Sequence, residues 1–405
     1  MLIQRKIWII ITLAILLIIL LLAKIMIFPG KFRPKIDYNN SLTNLACSIQ
    51  KYFEIPPLHN TLSYIDELLQ EKKPENVILL VIDGLGSKAL DKFLNKDDFL
   101  IKKRVKDICS VFPPTTASCL TSVKTGLNPS EHGWLGWNTY VPAINKIIAL
   151  YNGREKGKRG IDQDFLRIKN KYYYNKKTIT ELINEKGKYL AYETSCYPYN
   201  VIESIDEVFN RVIEKLKING KKYIFAYYPE PDEILHHSGE FSQIAKEEIE
   251  KINRKVEEYS KLILEYKDTM MFIVSDHGHI MSETIDIRNN DIMKYMDNKN
   301  IFIENRSPTF IIRKGQEENF KHSFNKQFGN DFYLLSKEEI LKYNLFGECE
   351  KNNEHELFES SFGDFMAFSK DYSRKSIMTD NARPKSFHGG YSDEEIYVPL
   401  IVFSN

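Results

Sequence analysis

Three stretches of the chain run apolar for five or six residues and then stop near an acid. They are residues 77–82 in "NVILLVIDGLG", 223–228 in "KKYIFAYYPEPD" and 270–274 in "TMMFIVSDHGH". Continuous apolar runs of this length, rich in β-branched and aromatic residues, predict strands covered on both faces, as in a parallel sheet. Between the last two lies a polar segment, about 242–266, with Ile244, Ile249, Ile252, Val256 and Tyr259 at helical spacing. A shorter amphipathic pattern falls around 62–69, and "YVPLIVF" gives a closing strand. Strands alternating with helices predict an α/β fold with a doubly wound, mostly parallel sheet.

One apolar run differs from these. Residues 7–28 carry a single charge, Lys24, over 22 residues, about 33 Å of helix at ~1.5 Å per residue against a bilayer core of ~30 Å. A signal peptide would have a shorter apolar region and a small-residue cleavage site, which this stretch lacks. The expectation is an uncleaved, single-pass transmembrane helix that contacts the lipid bilayer. Residues 1–35 form the anchor, 36–73 a linker and helix, and 74–405 the main domain. Arg5 and Lys6 flank one end, and Lys31, Arg33 and Lys35 the other, a slight bias toward a cytoplasmic main domain.

Composition narrows the classes. The 405 residues carry a net charge of +1 and are 43% hydrophobic, enough for a large core. A near-neutral chain gives no reason to expect a nucleic-acid duplex as partner. Five scattered cysteines without C-x-x-C spacing predict buried thiols instead of a disulfide frame or zinc knuckle. The basic, aromatic stretch "RIKNKYYYNKK" (167–177) reads as solvated surface.

Asp83, Asp232 and Asp276 all follow predicted strands, at the sheet edge where open α/β folds bind ligands. Histidines accompany them. His277 directly follows Asp276, His236 lies one helical turn beyond Asp232, and His388 stands in the glycine-rich "SFHGGY". Carboxylates and imidazoles together suit zinc and accept manganese or iron. Asp83, Asp276 and His277 form one candidate ligand set; Asp232, His236 and His388 form a second. Two such ions would clamp a phosphoryl group. His237 and His279 stand beside these ligands as substitutes or supports, whereas His59, His132, His322 and His355 read as structural.

The segment "SVFPPTTASCLTSVKTG" places Thr115 and Thr116 at a predicted helix start with no base nearby in sequence. A divalent cation would make a base unnecessary, since a coordinated hydroxyl loses its proton far more readily. The helix N-terminus favours an alkoxide or phosphate at the same place. Singly, each feature has a plain structural reading: a turn after a strand, a satisfied histidine, an N-cap. Their order, each at a strand end or helix start, points to a site.

In combination "VIDG", "FPPTTASCLTSVKTGLNPSEHGWLGW", "YPEPDEILHH", "SDHGH" and "FHGGY" resemble the type I phosphodiesterase/nucleotide pyrophosphatase family of the alkaline phosphatase superfamily. The resemblance implies an alkaline phosphatase-like fold, two Zn2+ ions and a threonine or serine nucleophile that becomes covalently phosphorylated. In that family the nucleophile stands nine residues before the threonine of the T-G-L segment, here Thr125, which selects Thr116. Where the family often has T-F-P-N, this chain has Thr116-Ala117-Ser118-Cys119. An asparagine after the H-G pair usually binds a phosphate oxygen; Asn138 is nearest, about one position off. Family members also insert a small cap, matched here to about 289–359.

The expected activity is hydrolysis of a small phosphodiester or pyrophosphate, nucleotide-like or headgroup-like. The rivals are a phosphomonoesterase or headgroup transferase, and a non-catalytic metal-bearing surface protein. No arginine near Thr116 offers the extra positive charge a monoester needs, and a sulfatase motif is absent. Resembling zinc phosphodiesterases work outside the cytoplasm, so the expected location is the cell membrane with an extracellular catalytic domain.

Overall fold

In the computed structural model of the protein, the three acid-terminated runs are adjacent parallel strands of one sheet. The structure describes residues 32–194, 204–349 and 353–405. The apolar run at 7–28, with the anchor assigned to it, lies outside them. Among the described residues no helix is long and apolar enough to cross a membrane.

Six strands lie in the order Arg104–Cys109, Tyr397–Ser404, Thr269–Val274, Asn76–Ile82, Lys222–Tyr228, Leu190–Glu193. Asn76–Ile82 pairs in parallel with both central neighbours, and Leu190–Glu193 continues the parallel set. Tyr397–Ser404 runs antiparallel between Thr269–Val274 and Arg104–Cys109, so the sheet is mixed. Central-strand side chains alternate between two cores. Val77, Leu79 and Val81 join Leu45 and Ile49 on one face, with Leu120 and Val123. Ile78, Leu80 and Ile82 meet Val208, Val212, Ile249, Ile252 and Val256 on the other. Each such side chain contributes ~1.5–3 kcal/mol on burial, so period-two alternation holds helices on both faces.

The long helix is Gln243–Ile263. Ile244, expected on its apolar stripe, is 59% exposed, and Ala245 turns inward instead. The segment read as linker plus helix carries Ser63–Lys72 and also a second helix, Leu42–Tyr52, buried from Leu42 to Gln50. Residues of the stretch 167–177 continue the helix Gln163–Tyr172 and are largely exposed, but Tyr173 is buried against Trp134. Cys47, Cys109 and Cys119 are buried free thiols.

A second sheet of seven strands supplies the other wall of the site. Its order is Phe332–Ser336, Phe365–Ser369, Pro308–Phe310, Phe302–Ile303, Asn138–Val141, Lys146–Ala149, Arg154–Glu155, with its neighbours antiparallel. The helix Glu317–Phe328 packs Phe320, Phe324 and Phe328 beneath it. Phe302–Ile303 meets Asn138–Val141 through Ile303 and Asn138, which joins the region around 289–359 to the segment after Thr116.

Candidate active site

Asp83 follows Asn76–Ile82, Asp276 lies just past Thr269–Val274, and Asp232 opens the helix Asp232–Ser238 beyond Lys222–Tyr228. Strand register brings all three to one edge. The short helix carries His236 round one turn, so its Nε2 lies 3.6 Å from Asp232 Oδ1. Thr116 opens the helix Thr116–Thr125 after the extended N-cap Thr115. His388 follows the two-residue strand Ser386–Phe387, which pairs with Ile280–Met281. That pairing sets His388 and His279 side by side.

Thr116 Oγ1 stands 3.3 and 3.4 Å from the oxygens of Asp83 and 3.3 Å from His277 Nε2. His277 Nε2 is 3.2 Å from Asp83 Oδ1, 3.5 Å from Asp276 Oδ2 and 4.0 Å from Asp232 Oδ1. His388 Nε2 lies 3.8 Å from Asp232 Oδ1, and its ring stacks on His277 with centroids 3.9 Å apart. The residues expected from sequence therefore converge. Asn138 lines the same cavity, of about 570 Å³, with Thr116, Asp83, Asp232, His236 and His388.

The hydrogen bonds fix which imidazole atoms are available. Gly278 O lies 3.2 Å from His277 Nδ1, and Ser386 O lies 2.8 Å from His236 Nδ1. A carbonyl only accepts, so each Nδ1 carries a proton, which turns each Nε2 toward the carboxylate oxygens. Asp276 Oδ1 accepts from the Gly84 and His277 amides, while buried Oδ2 has no hydrogen-bond partner. Ring nitrogens and carboxylates facing one another, with one oxygen orphaned, are the arrangement a cation satisfies.

Asp83, Asp276 and His277 offer ligand atoms within 4.8 Å of one another, as do Asp232, His277, His279 and His388. The first set matches the sequence expectation. The second joins Asp232 and His388 to His277 and His279, with His279 Nε2 2.7 Å from Asp232 Oδ1 and Nδ1 3.1 Å from Ser386 Oγ, while the expected His236 stands beside it, its Nε2 3.6 Å from Asp232 Oδ1. His237 is exposed, with Nδ1 bound to Glu233 O. His59 pairs with Glu131, His132 bonds Ser122, His355 bonds Tyr172 O, and His322 is exposed.

Burial and neighbouring charge shift the three aspartates in different directions. Burial, then the neighbouring Asp232, pushes Asp83 well above the usual carboxylate range, and burial with Asp83 does the same to Asp276. Burial also opposes ionisation of Asp232, but His236, His279 and His388 outweigh it and hold that carboxyl well below its usual range. Burial holds His388 well below the ordinary imidazole value and His279 at about 4.

Three further residues escaped sequence reasoning. Tyr227 donates its hydroxyl to Asp83 Oδ2. Trp137 and Glu304 line the cavity, and the Trp137 amide donates to Glu304 Oε1 at 2.8 Å. Burial pushes Glu304 up to about 7. Trp137 closes the segment that begins at Phe112, yet only the apposition of the two sheets shows that it and Glu304 line one cavity.

A buried threonine hydroxyl at a helix start, ringed by three aspartates and several imidazoles, defines a site for metal-assisted chemistry on phosphoric esters. The family model for type I phosphodiesterase/nucleotide pyrophosphatase matches residues 77–344, and the chain belongs to that family. It is thus an enzyme of the phosphodiesterase/nucleotide pyrophosphatase hydrolase type, in a metal-dependent family. Murine ectonucleotide pyrophosphatase/phosphodiesterase 5 superposes with a TM-score of 0.62 at 16% identity, covering 81% of this chain and 88% of that one. The human protein gives 0.62 at 16% identity, over 81% and 87%. An inactive variant of the murine protein in complex with AMP gives 0.60 at 17% identity, over 80% and 87%. These are likenesses of fold. No curated protein matches the chain.

Proposed function

We propose that the protein hydrolyses a phosphodiester or pyrophosphate bond through a covalent phosphothreonine at Thr116. The observation that carries this is the Thr116 hydroxyl, 3.3 Å from His277 Nε2 and 3.3 Å from Asp83 Oδ2, at the mouth of the cavity and the start of a helix. Two divalent ions, of which zinc fits the donor set best, would be held by Asp83, Thr116, Asp276 and His277 and by Asp232, His236 and His388. When bound they would ease loss of the Thr116 proton and neutralise charge on the phosphoryl oxygens.

Thr116 Oγ1 attacks phosphorus, forming an O–P bond while the bond to one ester oxygen breaks. That oxygen leaves with the electron pair and takes up a proton. Water then attacks the phosphothreonine, releasing a phosphomonoester and restoring the hydroxyl. The first N–H groups of the Thr116–Thr125 helix have no intrahelical acceptor and would favour a phosphoryl oxygen at that helix start. Asn138 is assigned to a non-bridging oxygen. Among the described residues lining the cavity there is no lysine or arginine, which favours the single charge of a diester over a monoester. The AMP complex of the structural neighbour supports a small nucleotide-like substrate.

Residues 74–405 then make up the catalytic domain, with about 289–359 as its cap, and 1–35 the anchor of an outward-facing membrane protein. Release of p-nitrophenol from bis(p-nitrophenyl) phosphate, with and without chelator, tests the activity. Chelator is expected to abolish release and added Zn2+ or Mn2+ to restore it. A fully metal-loaded yet inert protein would leave the surface-binding alternative standing, and faster turnover of p-nitrophenyl phosphate would favour the monoesterase.

A further inference from the structure

Glu304 occupies a position the phosphodiester chemistry above does not use. It follows the strand Phe302–Ile303 of the second sheet and lines the same cavity as Asp83, Thr116 and Asp232. The Trp137 amide takes one lone pair of Oε1, and a carboxylate has about four acceptor sites. Thr115 lies against the same carboxylate, and the acceptor sites beyond these two are left for a group in the cavity. Its stem is clamped: Gly389, next to His388, has φ +83°, and a Cβ there would collide with Glu304 Cγ. A glycine supplies both the backbone conformation and the close approach.

The surroundings sharpen the point. Asp380 and Glu233 add two carboxylates to the lining. The ammonium of Lys156 bonds Ile301 O at 2.9 Å and lies 3.8 Å from Asp380, outside the lining itself. The half-buried ring of Trp137 is the aromatic surface beside Glu304. An acceptor-rich wall with an aromatic face suits a nitrogen-bearing group that donates N–H or carries positive charge.

We propose that Glu304 is a specificity-determining residue that receives an amino group on the ester moiety of the substrate, with Trp137 stacking beneath it. This rests on the phosphodiesterase reading of the site. Two sources share that chemistry: the exocyclic amine of a nucleobase and the ammonium of an amino alcohol.

Matched p-nitrophenyl esters that differ only in the amino group separate them. One pair is p-nitrophenyl adenosine 5′-phosphate against its purine-riboside analogue. The other is p-nitrophenyl phosphoethanolamine against ethyl p-nitrophenyl phosphate. In the wild-type protein, loss of the amine is expected to lower kcat/KM by about 10-fold or more in the pair that represents the natural source, the size of one good charge-assisted contact. Glu304→Gln is expected to collapse that ratio toward one. Turnover with both wild-type ratios near one, or a ratio that Glu304→Gln leaves intact, overturns this assignment alone. Hydrolysis of none of the four esters overturns the phosphodiesterase reading and this assignment with it.

Discussion

Arg306 and Glu395 face each other as a two-pronged ion pair, at 3.1 and 2.9 Å, with neither side chain exposed to solvent. The pair is fully furnished: Arg306 also donates to Ser369 Oγ and Lys375 O, and Glu395 accepts from the Gly390 and Ser392 amides. Gly390 lies two residues after His388, and the Glu395 carbonyl accepts from the Gly278 amide beside His277. One buried pair thus ties both histidine loops to the second sheet. Gly278 is needed there because a Cβ would collide with the Glu394 carbonyl oxygen.

Breaking such a pair leaves a charge without its partner. Glu395→Ala is expected to cost ~3–5 kcal/mol in denaturant unfolding, while replacing both residues by apolar ones of similar volume costs much less. Equal losses from the single and double changes would contradict the ion-pair account.

Thr116 offers a sharper test of chemistry. Thr116→Ala is expected to lower turnover of bis(p-nitrophenyl) phosphate by ~10³-fold or more, since a nucleophile has no substitute in the ring of ligands, while Asp83, Asp276 and His277 keep most of the metal bound. Thr116→Ser keeps the hydroxyl and should retain measurable turnover. Acid quench of the wild type should yield a phosphoryl adduct on the peptide containing Thr116, visible by mass; an adduct elsewhere would reassign the nucleophile.

Removing metal should expose the electrostatic conflict between Asp83 and Asp276. Both carboxyls are raised by burial, so in the metal-free protein their ionisation near neutral pH opposes folding. Asp276→Asn is therefore expected to raise the Tm of the metal-free protein at pH 7. In the same variant Zn2+ should raise Tm less than in wild type, where a ligand at ~100 times its Kd adds about 2.7 kcal/mol. The two melting curves should cross in rank when metal is added. A variant less stable than wild type in both conditions would argue against a cation between these groups.

How much of this was legible in the sequence depends on how locally each feature is specified. Asp83, Asp232 and Asp276 could be placed because each ends an uninterrupted apolar run, and such a run fixes both a strand and its last residue. His236 could be placed because one helical turn separates it from Asp232. The helix Leu42–Tyr52 was readable and went unread: Leu42, Leu45, Ala46 and Ile49 keep helical spacing. Only the polar residues among them, Asn44 and Ser48 bonding the loop at Asn60 and Leu62 and Gln50 bonding Thr125 O, give the segment the look of a linker. Trp137 and Glu304, by contrast, were hidden. They flank strands of two to four residues that meet each other across more than 160 positions, where Ile303 pairs with Asn138. Fragments that short have no readable period. His279 was visible only as a neighbour of His277, because its approach to Asp232 depends on the pairing of Ile280–Met281 with Ser386–Phe387.

Glu304 should also leave a signature in the pH dependence of stability. Its ordinary value is 4.5, and burial carries it to about 7 in the folded protein, against the Trp137 amide and Thr115, which favour the charged form. A carboxyl raised on folding binds its proton more tightly in the native state. Its contribution to stability is therefore fully present below about pH 4.5 and is lost as pH rises through 7. Glutamine keeps the shape and cannot ionise. Glu304→Gln and wild type should then melt at similar temperatures at pH 5. By pH 8 the variant should be the more stable by about 2 kcal/mol, less than the full shift would give because the group is half open to the cavity. The check is a pair of melting series from pH 5 to 8 on metal-free protein. Parallel curves would show that Glu304 is ionised as easily in the fold as in the open chain, and the effect of burial ascribed to it would have to be abandoned.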